Sequence, residues 1–211
     1  MSADYKVLSY KVRSRGSKNP RILFVGEAPG YHEDQQGKCF VGIAGNMLMD
    51  SIRKAGIPLS DCRFTNVVRC RPEDNKTPAF TYAIPCTAFL AEEILKTKPD
   101  VIVPLGNTAL RILLNDPKVT IGSHIGTEIS AEFSIGKYTL FPLWHPAFVC
   151  RDHGYIQDYI YTYTSASTGV TNAFIPSFSN NFFNFLTSAK SLSFVSSEQA
   201  IIRSAFTPGQ M

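Results

Sequence analysis

The stretch Arg21-Ile22-Leu23-Phe24-Val25-Gly26-Glu27-Ala28-Pro29-Gly30 decides how this chain folds. Ile22 to Val25 is a continuous apolar run that stops at a glycine, the pattern of a strand buried on both faces. Such strands belong to parallel sheets covered by helices. The polar segment from Tyr31 to Lys38 reads as a turn. Beyond it Ala44, Leu48, Ile52 and Ala55 recur at helical spacing until Gly56 supplies a stop. The order is strand, loop, helix.

The same order recurs twice downstream. Phe64 to Val68 reads as a strand, Arg71 to Pro78 as a polar loop, and Cys86, Phe89, Leu90 and Ile94 as the buried face of a helix that Pro99 ends. Val101 to Leu105 is a third buried strand. Asn107 is placed to cap a short helix, Thr108 to Leu114, which Pro117 closes. Alternation of this kind means right-handed βαβ units around a parallel sheet. Glu128 to Phe133 and Tyr138 to Leu143 then resemble a hairpin turning at Gly136, and Trp144-His145-Pro146-Ala147 leaves its second strand. Tyr155 to Tyr163 is aromatic, residues 164–180 form a Ser/Thr-rich insertion, and Asn181 to Phe194 reads as a final helix.

Bulk composition bounds the answer. With 211 residues, 44% of them hydrophobic, the chain can bury one good core, so a single domain over residues 1–211 is expected. A net charge of +4 permits a polyanionic partner without demanding one. No apolar run approaches the length of a membrane span, and the first twenty residues lack the apolar core of a signal peptide. The expectation is a soluble, cytoplasmic monomer with no membrane partner. Five cysteines, Cys39, Cys62, Cys70, Cys86 and Cys150, form no CxxC pair and are odd in number, which argues for reduced thiols.

Gly26 to Gly30 runs on as GEAPGYHEDQQGKCFVGIAGNML, and Asn66-Val67-Val68-Arg69-Cys70-Arg71-Pro72 is followed by Asn75 and Pro78. KPDVIVPLG covers Lys98 to Gly106, and His145-Pro146-Ala147-Phe148 precedes Arg151. These four segments, in this order, resemble the motifs of the family 4 uracil-DNA glycosylases: GEAPG with a following ED and GxPFVGxAGxLL, then NxVKCRPPxNRxP, PxxIxxLG and HPSYLLR. The resemblance spans about Ile22 to Arg151. It implies three α/β/α layers around a mostly parallel four-stranded sheet, with the active site at the strand ends.

The resemblance also implies roles. Asn66 matches the amide that reads the pyrimidine edge, Phe40 the ring that stacks on the flipped base, and Glu33 the wall near the base's C5 position, with Gly26 and Ala28 as pocket floor. His145 matches the catalytic histidine. Breaking an N-glycosidic bond leaves an oxocarbenium-like sugar and an anionic base, so donors must face the base oxygens and negative charge must lie beneath the sugar. A neutral His145 supplies the first; Glu27 is placed either to orient water or to offset the sugar's positive charge, and Asn75 is a further candidate for positioning water. The best-known uracil glycosylases carry Asp one residue after this Glu; here it is Ala28, so a simple Asp-activated water is not available. No Lys nucleophile is visible, which makes the expected product an abasic site. Extrusion of the base must be offset by phosphate contacts, for which Arg69, Arg71, Lys76, Arg151 and the amides near Gly45 and Asn46 are candidates.

The pattern also departs from the family. Its [4Fe-4S] cluster takes four cysteines, two from an N-terminal CxxC and two at the positions of Cys70 and Cys86. The second pair is present here and the first is not, so no cluster and no other cofactor is expected. The Pro usual before the stacking ring is Cys39. Two rival readings keep the fold: excision of a bulkier base, such as a glucosylated hydroxymethylcytosine, in defence against phage DNA, and an inert DNA-binding relative.

Overall fold

A computed structural model describes residues 12–151. The expected aromatic segment, Ser/Thr-rich insertion and final helix lie outside the described residues. A short edge strand, β1 (Arg15–Gly16), leads into β2 (Ile22–Gly26). A six-residue helix, α1 (Tyr31–Gln36), and a longer one, α2 (Ile43–Lys54), connect it to β3 (Cys62–Asn66). Then come α3 (Phe80–Ala83), α4 (Thr87–Thr97), β4 (Val101–Pro104) and α5 (Gly106–Leu114). The hairpin β5 (Ile129–Phe133) and β6 (Gly136–Leu140) precedes α6 (Pro146–Arg151).

The sheet holds six strands in the order β1-β3-β2-β4-β6-β5. The expected four-stranded parallel sheet is its centre, β3-β2-β4-β6; β5, the other arm of the expected hairpin, and the unexpected β1 add one antiparallel strand at each edge. β1 is two residues long, too short to leave a periodic signal.

The alternation of side chains along β2 explains the layers. Ile22 and Phe24 face a core shared with Leu48 and Ile52 of α2 and Val149 of α6. Leu23 and Val25 face a second core with Leu90 and Ile94 of α4 and Ile112 of α5. Both faces are therefore covered, which is why the run contains no polar residue.

Two local expectations change. Tyr31 to Gln36 is a helix rather than a turn, and none of its residues is buried, so no hydrophobic period announces it. Asn107 does not cap α5; Leu105 holds that position, and the Asn107 Oδ1 accepts a hydrogen bond from the Ile121 N–H at 2.7 Å.

Candidate active site

The parallel register brings the chemistry to one edge. Gly26 pairs with Asn66 across β2 and β3, and Val25 pairs with Pro104 across β2 and β4. Beyond β6 the chain stays alongside β4, because the Leu143 N–H bonds the Pro104 carbonyl at 2.9 Å and the Gly106 N–H bonds that of Leu143 at 2.9 Å. Glu27, Asn66, Gly106 and His145 thus leave four adjacent strands at their C-terminal ends, where β3 and β4 lie on opposite sides of β2. That is the switch point at which open α/β sheets bind ligands.

A cleft of about 360 Å³ opens there, lined by Glu27, Ala28, Glu33, Phe40, Asn66 and His145. Gly45, Asn75, Lys76 and Arg151 also line it. Gly26 does not itself line the cleft but packs against two residues that do. A Cβ on this glycine would lie 2.4 Å from the Asn66 Oδ1 and 2.6 Å from the Phe40 Cζ, so only glycine lets those two side chains meet.

Phe40 is 5% exposed and sits at φ +56°, an unusual backbone for a bulky residue. Its surroundings hold it there. The Arg15 guanidinium donates to its carbonyl at 2.6 Å, and its ring meets Phe64 edge-on with centroids 6.1 Å apart. The same ring lies 6.4 Å from the His145 imidazole, at 30°.

The His145 Nδ1 accepts the Ala147 N–H at 3.2 Å, which assigns the ring proton to Nε2. Burial, reinforced by the nearby Arg151 charge and opposed by Glu33, pushes its pKa down to about 4. The imidazole is therefore neutral near pH 7, with one N–H to donate. Asn66 is buried, and its Nδ2 donates to the Cys39 sulfur at 3.7 Å. The Glu27 carboxylate is held by the Thr108 hydroxyl, which donates to Oε2 at 2.5 Å.

Glu33 does more than line the cleft. One oxygen accepts the N–H groups of Val41 at 2.9 Å and Gly42 at 2.8 Å, and the other accepts that of Gly30 at 3.2 Å. This carboxylate clasps both ends of the segment that carries Phe40 and occupies the N-terminus of α2. Glu33 thus holds the Val41 and Gly42 N–H groups at this terminus and makes no bond to the amide of Gly45, which lines the cleft. The Asn46 N–H bonds the Gly42 carbonyl at 2.9 Å, and Asn46 does not line the cleft.

The expected phosphate contacts divide. Arg71 is fixed by a 2.8 Å hydrogen bond from its Nε to the Asn75 Oδ1, and its guanidinium lies 5.2 Å over the exposed Tyr31 ring. The Asn75 amide oxygen is therefore engaged by Arg71, which leaves it less suited to hold a water. Lys76 and Arg151 stay on the cleft wall. Arg69 is a correction: it is 8% exposed, away from the cleft, and paired with Glu93 at 3.1 Å. Desolvation raises the Glu93 pKa, but hydrogen bonds from Arg63 and Ser14 and the charges of Arg63 and Arg69 outweigh it and hold the carboxyl below its usual range. Arg69 is structural because a buried carboxylate needs it.

Sequence reasoning missed Thr108, Arg15 and the clasp made by Glu33. Arg15 and Thr108 stand 25 and 81 residues from the atoms they hold, beyond any local pattern.

Of the cysteines, Cys39 and Cys62 are fully buried, which pushes each thiol up to about 12, while Cys70 and Cys86 are half-buried. The Cys150 sulfur contacts that of Met47 at 3.3 Å. Among the described residues no three His, Cys, Asp or Glu side chains converge as a metal site. Nor, among them, is any helix long and apolar enough to cross a membrane.

An open α/β sheet with a cleft at its switch point, walled by an aromatic ring, an amide and a neutral imidazole, defines the class. The chain belongs to the uracil DNA glycosylase superfamily, whose family model matches residues 13–161. Its similarity runs to the type-4 branch. It is 40% identical to the type-4 uracil-DNA glycosylase of Thermotoga maritima over 67% of this chain and 72% of that one. It is 34% identical to the enzyme of the same name from Archaeoglobus fulgidus, over 69% and 74%. For that of Saccharolobus solfataricus the identity is 33%, over 68% of each chain.

Proposed function

We propose that the protein is a monofunctional DNA glycosylase that extrudes uracil from DNA and hydrolyses its N-glycosidic bond. The observation that carries this reading is the neutral His145, whose Nε2–H is the available donor in a cleft it shares with Asn66, Phe40 and Glu27. Uracil enters against the Phe40 ring, and Asn66 reads its Watson–Crick edge. As the C1′–N1 bond breaks, its electron pair moves onto the base, and the Nε2–H of His145 stabilises the charge on the base oxygen. The Glu27 carboxylate offsets the positive charge left on the sugar. Water adds to C1′ and loses a proton, giving an abasic site and free uracil.

Arg71, Lys76 and Arg151 hold the flanking phosphates, and the enzyme acts as a cytoplasmic monomer. No step requires a metal or cluster. The test is an oligonucleotide panel with uracil, thymine, hypoxanthine or glucosylated hydroxymethylcytosine, treated with enzyme and then alkali. Strand cleavage at uracil alone, lost in His145→Ala, is expected. Cleavage only at the bulky base, or binding without any cleavage, would overturn the assignment.

A further inference from the structure

We propose that Thr108 is a positioning residue that fixes the Glu27 carboxylate through its hydroxyl, and that the first turn of α5 sets Glu27 and His145 relative to each other. The inference rests on the reading of Glu27 given above.

Three observations support it. The first is the direction of the hydroxyl. Helical serines and threonines ordinarily bond back to a carbonyl of their own helix. Here Ser51 does so to Met47 in α2 and Thr97 to Glu93 in α4. Thr108 instead donates outward, to a carboxylate on the loop after β2.

The second is the rigidity of the donor. Thr108 is 6% exposed on the first turn of α5, and that turn is anchored on both sides. The Gly106 N–H bonds the Leu143 carbonyl at 2.9 Å, and the Asn107 Oδ1 accepts the Ile121 N–H at 2.7 Å. Glu27 itself has three side-chain torsions and sits before Pro29-Gly30. Unheld, it would sample many rotamers. Holding Oε2 from a fixed point gives the carboxylate one orientation in the cleft and leaves Oε1 to face the sugar.

The third is the second contact of the same turn. Gly106 sits at φ +83°, and a Cβ there would lie 3.0 Å from the His145 Cβ. One rigid turn therefore touches the histidine on the base side and, two residues later, holds the carboxylate on the sugar side. Separation of the two charges formed in the reaction is measured against this single element.

The test compares Thr108→Val, which keeps shape and removes the hydroxyl, with Thr108→Ser, which keeps the hydroxyl, in single-turnover uracil excision. Thr108→Val is expected to lower the maximal rate about 10- to 150-fold, the worth of one hydrogen bond to a charged group, with half-saturation changed less than about twofold. Thr108→Ser is expected to restore most of the rate. On a Glu27→Ala background Thr108→Val should cause no further loss, since the acceptor is gone. Three results would overturn the proposal: a wild-type rate for Thr108→Val, a serine variant as slow as the valine variant, or a full additional loss on Glu27→Ala. A Glu27→Ala enzyme with an unchanged rate would instead remove the role of Glu27 itself, and the proposal with it.

Discussion

Replacing His145 with alanine removes the neutral imidazole donor that the cleft offers to a departing base. Its Nδ1 is tied to the Ala147 N–H, so the proton sits on Nε2 before substrate arrives, in a ring that lines the cleft. A preorganised donor of this kind is worth on the order of 3 kcal/mol, which predicts a loss of about 150-fold in the single-turnover rate. The pH profile carries the sharper signature. With the imidazole pKa lowered to about 4 by burial first and Arg151 second, the ring stays neutral through the range where an ordinary histidine titrates.

The excision rate should therefore show no inflection near pH 6.5. Stability moves the other way with pH. Between 6.5 and about 4 the unfolded chain takes up a proton that the folded imidazole refuses, so this contribution is complete above pH 6.5 and is lost as the pH falls toward 4. The loss amounts to about 3 kcal/mol across that interval. Rates measured on a uracil oligonucleotide from pH 5 to 8, with thermal melts at the same pH values, test both halves. An inflection near 6.5, or a His145→Ala enzyme within threefold of wild type, would refute the reasoning.

Three further outcomes follow from the geometry. With Arg71, Lys76 and Arg151 as the phosphate contacts, log K for duplex DNA should fall against log salt with a slope of about −2.7. Arg69→Ala should leave that slope unchanged while lowering stability by about 2 kcal/mol, because Glu93 loses one of its two cations and keeps the other; salt titrations and denaturant melts separate the two effects. Glu33→Ala releases three backbone N–H groups at once and should lower the melting temperature and the excision rate together, whereas a wall residue alone would alter only base preference. Gly26→Ala should abolish uracil excision with little effect on DNA affinity, since the methyl group displaces Asn66 and Phe40 but touches no cation, as binding and rate assays on the same sample would show.

Much of this was legible in the sequence, for physical reasons that can be named. A doubly buried strand such as Ile22 to Val25 cannot tolerate a polar residue, so β2 and the equally apolar β4 announced themselves. The cleft residues were legible through their motifs, and the structure brings Glu27, Glu33, Phe40, Asn66 and His145 together. What escaped was either too short or too distant. β1 and α1 bury too little to produce a hydrophobic period. Arg69 reads as a surface cation because nothing near it in sequence reveals Glu93, 24 residues on, as its partner. Thr108 was passed over for its neighbour Asn107, whose side chain turned to Ile121 instead of capping the helix.

The most direct test of the central claim is mass-spectrometric detection of the base released when purified protein meets duplex DNA carrying a single uracil. The account predicts free uracil in equal amount to abasic sites, and none when the same position carries thymine. An intact strand after alkali, with no free base, would contradict it.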